Sequence, residues 1–261
     1  MKDQYVIACV ESEAGAETVI RWAKHCAERL NGKGLMVLNV ASDGESGWLK
    51  QYGVPYAGLR GDWKTAIDGL PTAFGGILAV AGVDRRAPRH SITNPRTLLK
   101  VFGDCKTAYL AVNVEGDGVE PRGDGGRAVL TLDHRRESKE KLIWASYLVR
   151  FLGMELTVAL PQYRDEGLRR GQRNNLRYME KVAPTLGLKY TTAPIPARVV
   201  TPADVVATEQ LGADMVLAMV SDRRDRDVGD WLLGAPERRL LGGTTPTLLL
   251  NQRDDLYVLC D

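Results

Sequence analysis

The chain has 261 residues, 44% hydrophobic and 26% charged, with a formal net charge of +2 at pH 7. That is apolar material enough for one large α/β domain or two of about 100–150 residues; acids and bases are interspersed, so no broad basic face advertises nucleic-acid binding. No apolar stretch approaches the roughly 18–20 residues of a membrane span, no signal-peptide pattern precedes Tyr5, and Cys9, Cys26, Cys105 and Cys260 form no C-x-x-C pair, so a reduced cytoplasmic protein without a membrane partner is expected.

The first element is the apolar run Tyr5–Val10, ending on the acid Glu11. An amphipathic helix follows, with Ile20, Trp22, Ala23, Cys26 and Leu30 on one stripe. Further strands are predicted near residues 35–41, 54–60, 77–82 and 108–113. The segment Glu115–Gly126 then carries five glycines in twelve residues, a composition that forms a tether rather than a core. From Arg127 the pattern begins again. Arg127–Leu132 ends on Asp133 as Tyr5–Val10 ends on Glu11, at an offset of 122, and Trp144 falls on Trp22. Later the offset becomes 138: Met215–Arg224 lies on Ile77–Arg86, and Thr247–Asn251 on Tyr109–Asn113. The second copy therefore carries about 16 additional residues in its middle (138 − 122), around the polar, Arg-rich stretch Asp165–Lys189.

Matching offsets over strand, helix and later strands read as an internal duplication. Each copy is predicted as β-α-β-α-β-α-β-α-β, the second with strands near 127–133, 155–160, 190–199, 214–221 and 246–252. Alternating strands and helices imply a five-stranded parallel sheet with helices on both faces. The expected domains are 1–114 and 127–261, joined by the linker 115–126. Thr201, Pro202 and Asp204 spell a helix start with a hydroxyl cap and proline at the first position.

In such sheets ligands sit beyond the carboxyl ends of the strands, where strand order reverses. Three segments of each copy reach that edge. In the first copy they are Val10–Ser12, Gly82–Arg86 and Thr93–Thr97; in the second, Leu132–His134, Ser221–Asp227 and Leu233–Glu237. The pair Asp84-Arg85-Arg86 and Asp222-Arg223-Arg224 follows the fourth strand in both copies. Its arginines suit an anionic ligand, or form a solvated loop with ion pairs to Asp225 and Asp227. Asp133 could accept hydrogen bonds from a nucleoside or cap a helix beginning near Arg136. His25 and His90 have no sequence partner for chemistry, and His134 has no second histidine or cysteine to suggest a metal. Trp22 and Trp144 read as packing residues. The stretch Arg164–Lys181 reads as a solvated helical face, with docking of an acidic protein partner as the alternative.

The segments Ala213–Arg224, Leu232–Leu241 and Thr245–Leu250, with the acids Glu11 and Asp133, resemble the universal stress protein family, over nearly the whole chain and twice. The resemblance implies two Rossmann-like units of the adenine nucleotide alpha hydrolase-like class. It also implies an intramolecular pseudo-dimer through the last strands, Tyr109–Val112 with Thr247–Leu250, and allows a homodimer; Leu256–Cys260 offers apolar surface for such a contact or for pairing within the chain. Members that bind ATP carry glycine, two residues, glycine, nine residues, then glycine with serine or threonine. Here Gly234 is followed by Ala235, and counting back places Ser221 and Arg224, or counting forward Met219 and Asp222, where glycines belong. The first copy has Arg96 and Thr97 in place of Gly234 and Ala235. A lost hydrogen bond to a charged phosphate costs about 1.5–3 kcal/mol, about ten- to a hundredfold in affinity.

No H-x-G-H, phosphate-binding Gly-x-x-x-x-Gly-Lys or nucleophile-elbow motif is present, and no nucleophile stands beside a base. The expectation is a non-enzymatic stress-response or signalling protein with its usual ATP site degraded. The alternative is an ATP or AMP sensor, or a weak hydrolase, built on Asp133, Ser221, Asp222, Arg223, Arg224, Gly234 and Ala235. Glu11, Gly82, Asp84 and Arg85 are the matching positions of the first copy.

Overall fold

Near-continuous apolar runs become buried parallel strands because neither face of them tolerates water. Tyr5–Val10 forms β1, whose residues from Val6 to Val10 are buried. The computed structural model describes residues 4–30, 33–41, 46–103, 105–116, 119–122, 125–198, 201–220 and 237–251. The chain divides into two units, Met1–Pro121 with Leu241–Pro246, and Arg122–Leu240 with Thr247–Asp261.

In the first unit, β1 leads through α1 (Ala16–Arg29) to β2 (Gly34–Ala41) and β3 (Tyr56–Arg60). Two short helices, α2 (Trp63–Asp68) and α3 (Leu70–Ala73), lead to β4 (Gly76–Val83), and α4 (Pro95–Phe102) to β5 (Ala108–Asn113). The strands are parallel in the order β3-β2-β1-β4-β5. Strand order thus reverses between β1 and β4. One crossover differs from expectation: among the described residues between β2 and β3, the helical element is a 3-10 turn, Gly47–Tyr52, closed by Gly53 at φ +62°, and not an α-helix. Helix α4 starts as its sequence directs, with the Asn94 side chain accepting from the Arg96 N–H at 3.1 Å and Pro95 at the first position. Its inner face places Phe102 against Tyr109 of β5, rings stacked 4.5 Å apart.

The second unit runs β6 (Arg127–Thr131), α5 (Lys141–Phe151), β7 (Glu155–Gln162), α6 (Glu166–Val182), β8 (Tyr190–Pro196), α7 (Ala203–Leu211), β9 (Met215–Met219), α8 (Glu237–Leu240) and β10 (Thr247–Leu250). Its parallel order is β8-β7-β6-β9-β10, the same succession as in the first unit. Val129, Ala159, Ile195, Val206 and Ala207 form the core beneath α7. Two predicted helix starts shift. A 3-10 turn, Arg136–Glu140, precedes α5, so its α-helix begins at Lys141. Pro202, extended at ψ 140°, is itself the cap of α7, leaving Thr201 one residue outside. No described helix is long and apolar enough to cross a membrane.

Helix α1 starts at Gly15, whose φ is +74°. A Cβ there would also lie 2.8 Å from the Val114 Cβ. Left-handed backbone costs a residue with a Cβ about 1–2 kcal/mol, and overpacking adds to it. Gly15→Ala is expected to lower stability by about 2 kcal/mol, read as a reduced urea midpoint at unchanged slope; an unchanged midpoint would refute the crowding.

Candidate functional site

Within each unit, hydrogen bonds from its own side chains fix the carboxyl edge of its strands. In the first unit, Asn39, fully buried on β2, donates from Nδ2 to the Val10 carbonyl at 2.9 Å and accepts from Ser46 Oγ at 2.9 Å. This fixes the end of β1 and hence Glu11. One carboxylate oxygen of Glu11 accepts from Ser91 Oγ at 2.5 Å and from the Ile92 N–H at 3.2 Å. Both donors belong to the loop between β4 and α4, which is tied to itself as well. The Asp84 N–H donates to Thr93 O at 2.9 Å, Asp84 Oδ1 accepts from the Arg86 N–H at 2.7 Å, and Asn94 Nδ2 donates to Ala87 O at 2.8 Å. Arg85 turns to Glu115, its Nε and its backbone N–H each 3.0 Å from Oε1; that guanidinium holds the Glu115 carboxyl below its ordinary value. Gly82 is a packing glycine. A Cβ there would stand 3.0 Å from Val114 Cγ1 and 3.2 Å from Val19 Cγ2.

Beside this loop lies an open cavity of about 750 Å³, bounded by the ends of β1, β2 and β3 and by α2 and α4. Val40, Trp63 and Val101 give it apolar walls, and Lys64, Arg89, His90 and Lys100 surround it with nitrogen. Its two acids, Glu11 and Asp62, are engaged. Glu11 holds the loop, and Asp62 caps α2 by accepting from the Thr65 N–H and hydroxyl at 3.0 and 2.8 Å. Lys64 faces Asp68 at 3.3 Å. The side chains of Arg89, His90 and Lys100 have no hydrogen-bond or ion-pair partner among the described residues. Chemically, this is a basin for an anion with an apolar body.

In the second unit the expected site centres on Asp133, 7% exposed. Its Oδ2 accepts from Arg135 Nε at 2.8 Å and its Oδ1 from the Arg135 N–H at 3.0 Å. It caps no helix, because the chain turns back on it two residues later. Burial pushes its carboxyl up, but Arg135 and Lys141 together outweigh burial and leave it below the ordinary carboxylate value. Burial would lower the Arg135 pKa, and Asp133, with Asp204 and Glu137, more than reverses that. Lys141, 1% exposed, donates to the Thr131 carbonyl, which also accepts from Ser138 Oγ at 3.3 Å.

Helix α6 lies across the same edge. Asn175 Nδ2 donates to Asp133 O at 2.9 Å and to Arg135 O at 2.7 Å. Gln172 Nε2 donates to Leu132 O at 3.1 Å and Pro161 O at 3.0 Å. The solvated face expected of this Arg-rich segment exists, with Arg169 and Arg173 paired to Glu166 at 2.6 and 2.5 Å. Its opposite face is a clamp, made by Leu168, Gln172, Asn175 and Met179 at helical spacing. His134 meets the Tyr163 ring edge-on at 5.4 Å. Thr131 Oγ1, His134 Nδ1 and Asp204 Oδ1 are buried here with no hydrogen-bond partner among the described residues.

Of the predicted site residues, Glu11, Gly82, Asp84 and Arg85 converge on one edge, and Asp133 heads the other; Ser221, Asp222, Arg223, Arg224, Gly234 and Ala235 lie outside the described residues. His25 is edge-on to Trp22 at 6.3 Å. Sequence reasoning missed Asn39, Ser91, Arg135, Lys141, Gln172 and Asn175. A signal existed for the last two: polar amides standing on the inward stripe of a helix.

No protein-family model and no curated protein matches the chain. Solved structures do. A universal stress protein from Archaeoglobus fulgidus DSM 4304 superposes with a TM-score of 0.65 at 15% identity, covering 96% of this chain and 97% of that one. A provisionally assigned universal stress protein from Pseudomonas aeruginosa UCBPP-PA14 gives 0.63 at 14%, covering 99% and 96%. The cytoplasmic domain of a prokaryotic cation chloride cotransporter gives 0.56 at 11%, covering 98% and 99%. Over nearly its whole length, then, the chain has the α/β fold seen in universal stress proteins.

Proposed function

We propose that this is a non-enzymatic cytoplasmic stress-response or signalling protein of tandem universal stress type, with the usual ATP site degraded in both copies. One observation carries the reading. The acid that ends the first strand of each copy, where a nucleoside would hydrogen-bond, is already engaged by its own chain: Glu11 by Ser91 and Ile92, Asp133 by Arg135. A nucleotide would have to displace these bonds, and charge-assisted ones contribute about 1.5–3 kcal/mol each. The fold alone does not choose the role, since a transporter's cytoplasmic domain shares it.

The second reading, an adenine-nucleotide sensor, is favoured by the basin beside α4 with Arg89, His90 and Lys100 unengaged. That moves the candidate site from the second copy to the first. Titration with ATP, ADP and AMP by calorimetry and thermal shift separates the two. Neither heat nor a shift is expected at millimolar ATP. Micromolar binding that Lys100→Ala abolishes would establish the sensor and overturn the degraded-site reading.

A further inference from the structure

The helix after the first strand is treated differently in the two copies. On α1 an acidic, apolar segment covers the outer face: Trp22 Nε1 donates to Val119 O at 2.5 Å, and Arg21 pairs with Glu120. Trp22 is consequently only 5% exposed. On α5 the corresponding face carries Ile143 at 47% and Tyr147 at 40% exposure. Trp144, Tyr147 and Phe151 form a run of ring contacts at 5.4 and 5.8 Å. Arg150 lies over Phe151 at 5.4 Å, and Lys139 lies over Tyr178 of α6 at 4.8 Å. Lys139 and Arg150 have no carboxylate partner among the described residues. Ile143, Tyr147 and Arg150 follow one stripe of α5, and Lys139 stands in the 3-10 turn before it, so the face is apolar along its centre and cationic at both ends.

We propose that this face is the docking site of the chain's own segment Asp254–Cys260. Val119 stands six residues after Asn113, the last residue of β5; at the offset of 138, Tyr257 stands six after Asn251. Six residues span about 20 Å when extended, and the same number takes the chain from β5 to Trp22. Composition matches as well. Leu256, Tyr257, Val258 and Leu259 supply apolar side chains, and Asp254 and Asp255 precede them, with Asp261 after, to meet Arg150 and Lys139. The segment itself lies outside the described residues. Docking of this segment does not depend on whether any nucleotide binds.

Cys260 supplies the test, because Cys9, Cys26 and Cys105 are buried. Ile143→Cys and Tyr147→Cys are each made in the full chain and oxidised with diamide, with Glu209→Cys on α7 as control. A disulfide needs Cα atoms within about 4.4–6.8 Å. A bridge to Cys260 within one chain is expected from position 143 or 147 and not from 209, read by non-reducing mass analysis. Bridges only between chains would assign the face to a second copy, and no bridge, or an equal one at 209, would also overturn the proposal. In the unmodified fold, Leu256→Asp with Leu259→Asp is expected to speed hydrogen exchange of exposed α5 amides about tenfold; unchanged exchange counts against the proposal.

Discussion

Replacing Arg135 by glutamine should lower the stability of the protein by about 3 kcal/mol at pH 7, with the deficit shrinking steadily on acidification. Removing one partner of a buried ion pair costs about 3–5 kcal/mol because the other charge stays buried; the side chain of Arg135 is 36% exposed, and solvent screening brings the figure to the lower end. The pH dependence follows from the sign of the shift. In the natural protein the Asp133 carboxyl is held below its ordinary value of about 3.9. Its contribution is therefore fully present above that pH and is lost as pH falls through the folded value. Burial is the largest single influence on Asp133, ahead of Arg135 and then Lys141. Without the Arg135 guanidinium, burial is opposed only by Lys141 and the retained backbone N–H of residue 135, and the carboxyl titrates higher than in the natural protein. Protonation then relieves the variant at a higher pH than that at which the natural protein loses its advantage, which lies below the ordinary value. Urea midpoints from pH 7 down to below about 3.9 measure both curves. A deficit that stays constant over that range would show that Arg135 acts by packing and not by charge.

Much of the fold was legible because parallel strands advertise themselves. Tyr5–Val10, Ala108–Asn113 and Met215–Met219 are apolar at every or nearly every position, and burial on both faces demands it. The acid at the end of β1 and of β6 was legible too, as a lone charge closing an apolar run. Its engagement was not. Arg135 reaches Asp133 because the chain reverses within two residues, a local geometry that Asp-His-Arg does not spell. Ser91 reaches Glu11 across 80 residues of sequence, and nothing local links them. The basin of the first unit was invisible for the same reason: Trp63 and Lys64 belong to a connection that sequence reading assigned no ligand role, and only the fold brings them beside Arg89 and Lys100. The duplicated pattern drew attention to the second copy, whereas the cavity with unengaged cations stands in the first.

The segment most fully recast by the structure is α6, and Gly171 shows how. A Cβ at Gly171 would lie 2.8 Å from the His134 carbonyl oxygen and 3.2 Å from its Cβ. The oxygen is backbone, held in the turn that Asn175 and Arg135 define, so it cannot yield without breaking those bonds. On an open helical surface Gly→Ala gains about 1 kcal/mol from helix propensity. Here the sign should reverse. Gly171→Ala is expected to lose about 1–2 kcal/mol, and Gly171→Val about 3 kcal/mol, because overpacking is joined by the unpaired carbonyls that a displaced Asn175 and Gln172 leave behind. Urea midpoints test the sign. Proteolysis within α6 tests the mechanism, since lifting the helix exposes its inner face. A stabilised alanine variant would mean that α6 rests on the edge without clamping it. If the loss is observed, the additional residues of the second copy are not a decoration on its surface. They close, from outside, the carboxyl end of β6, the edge at which open parallel sheets bind their ligands.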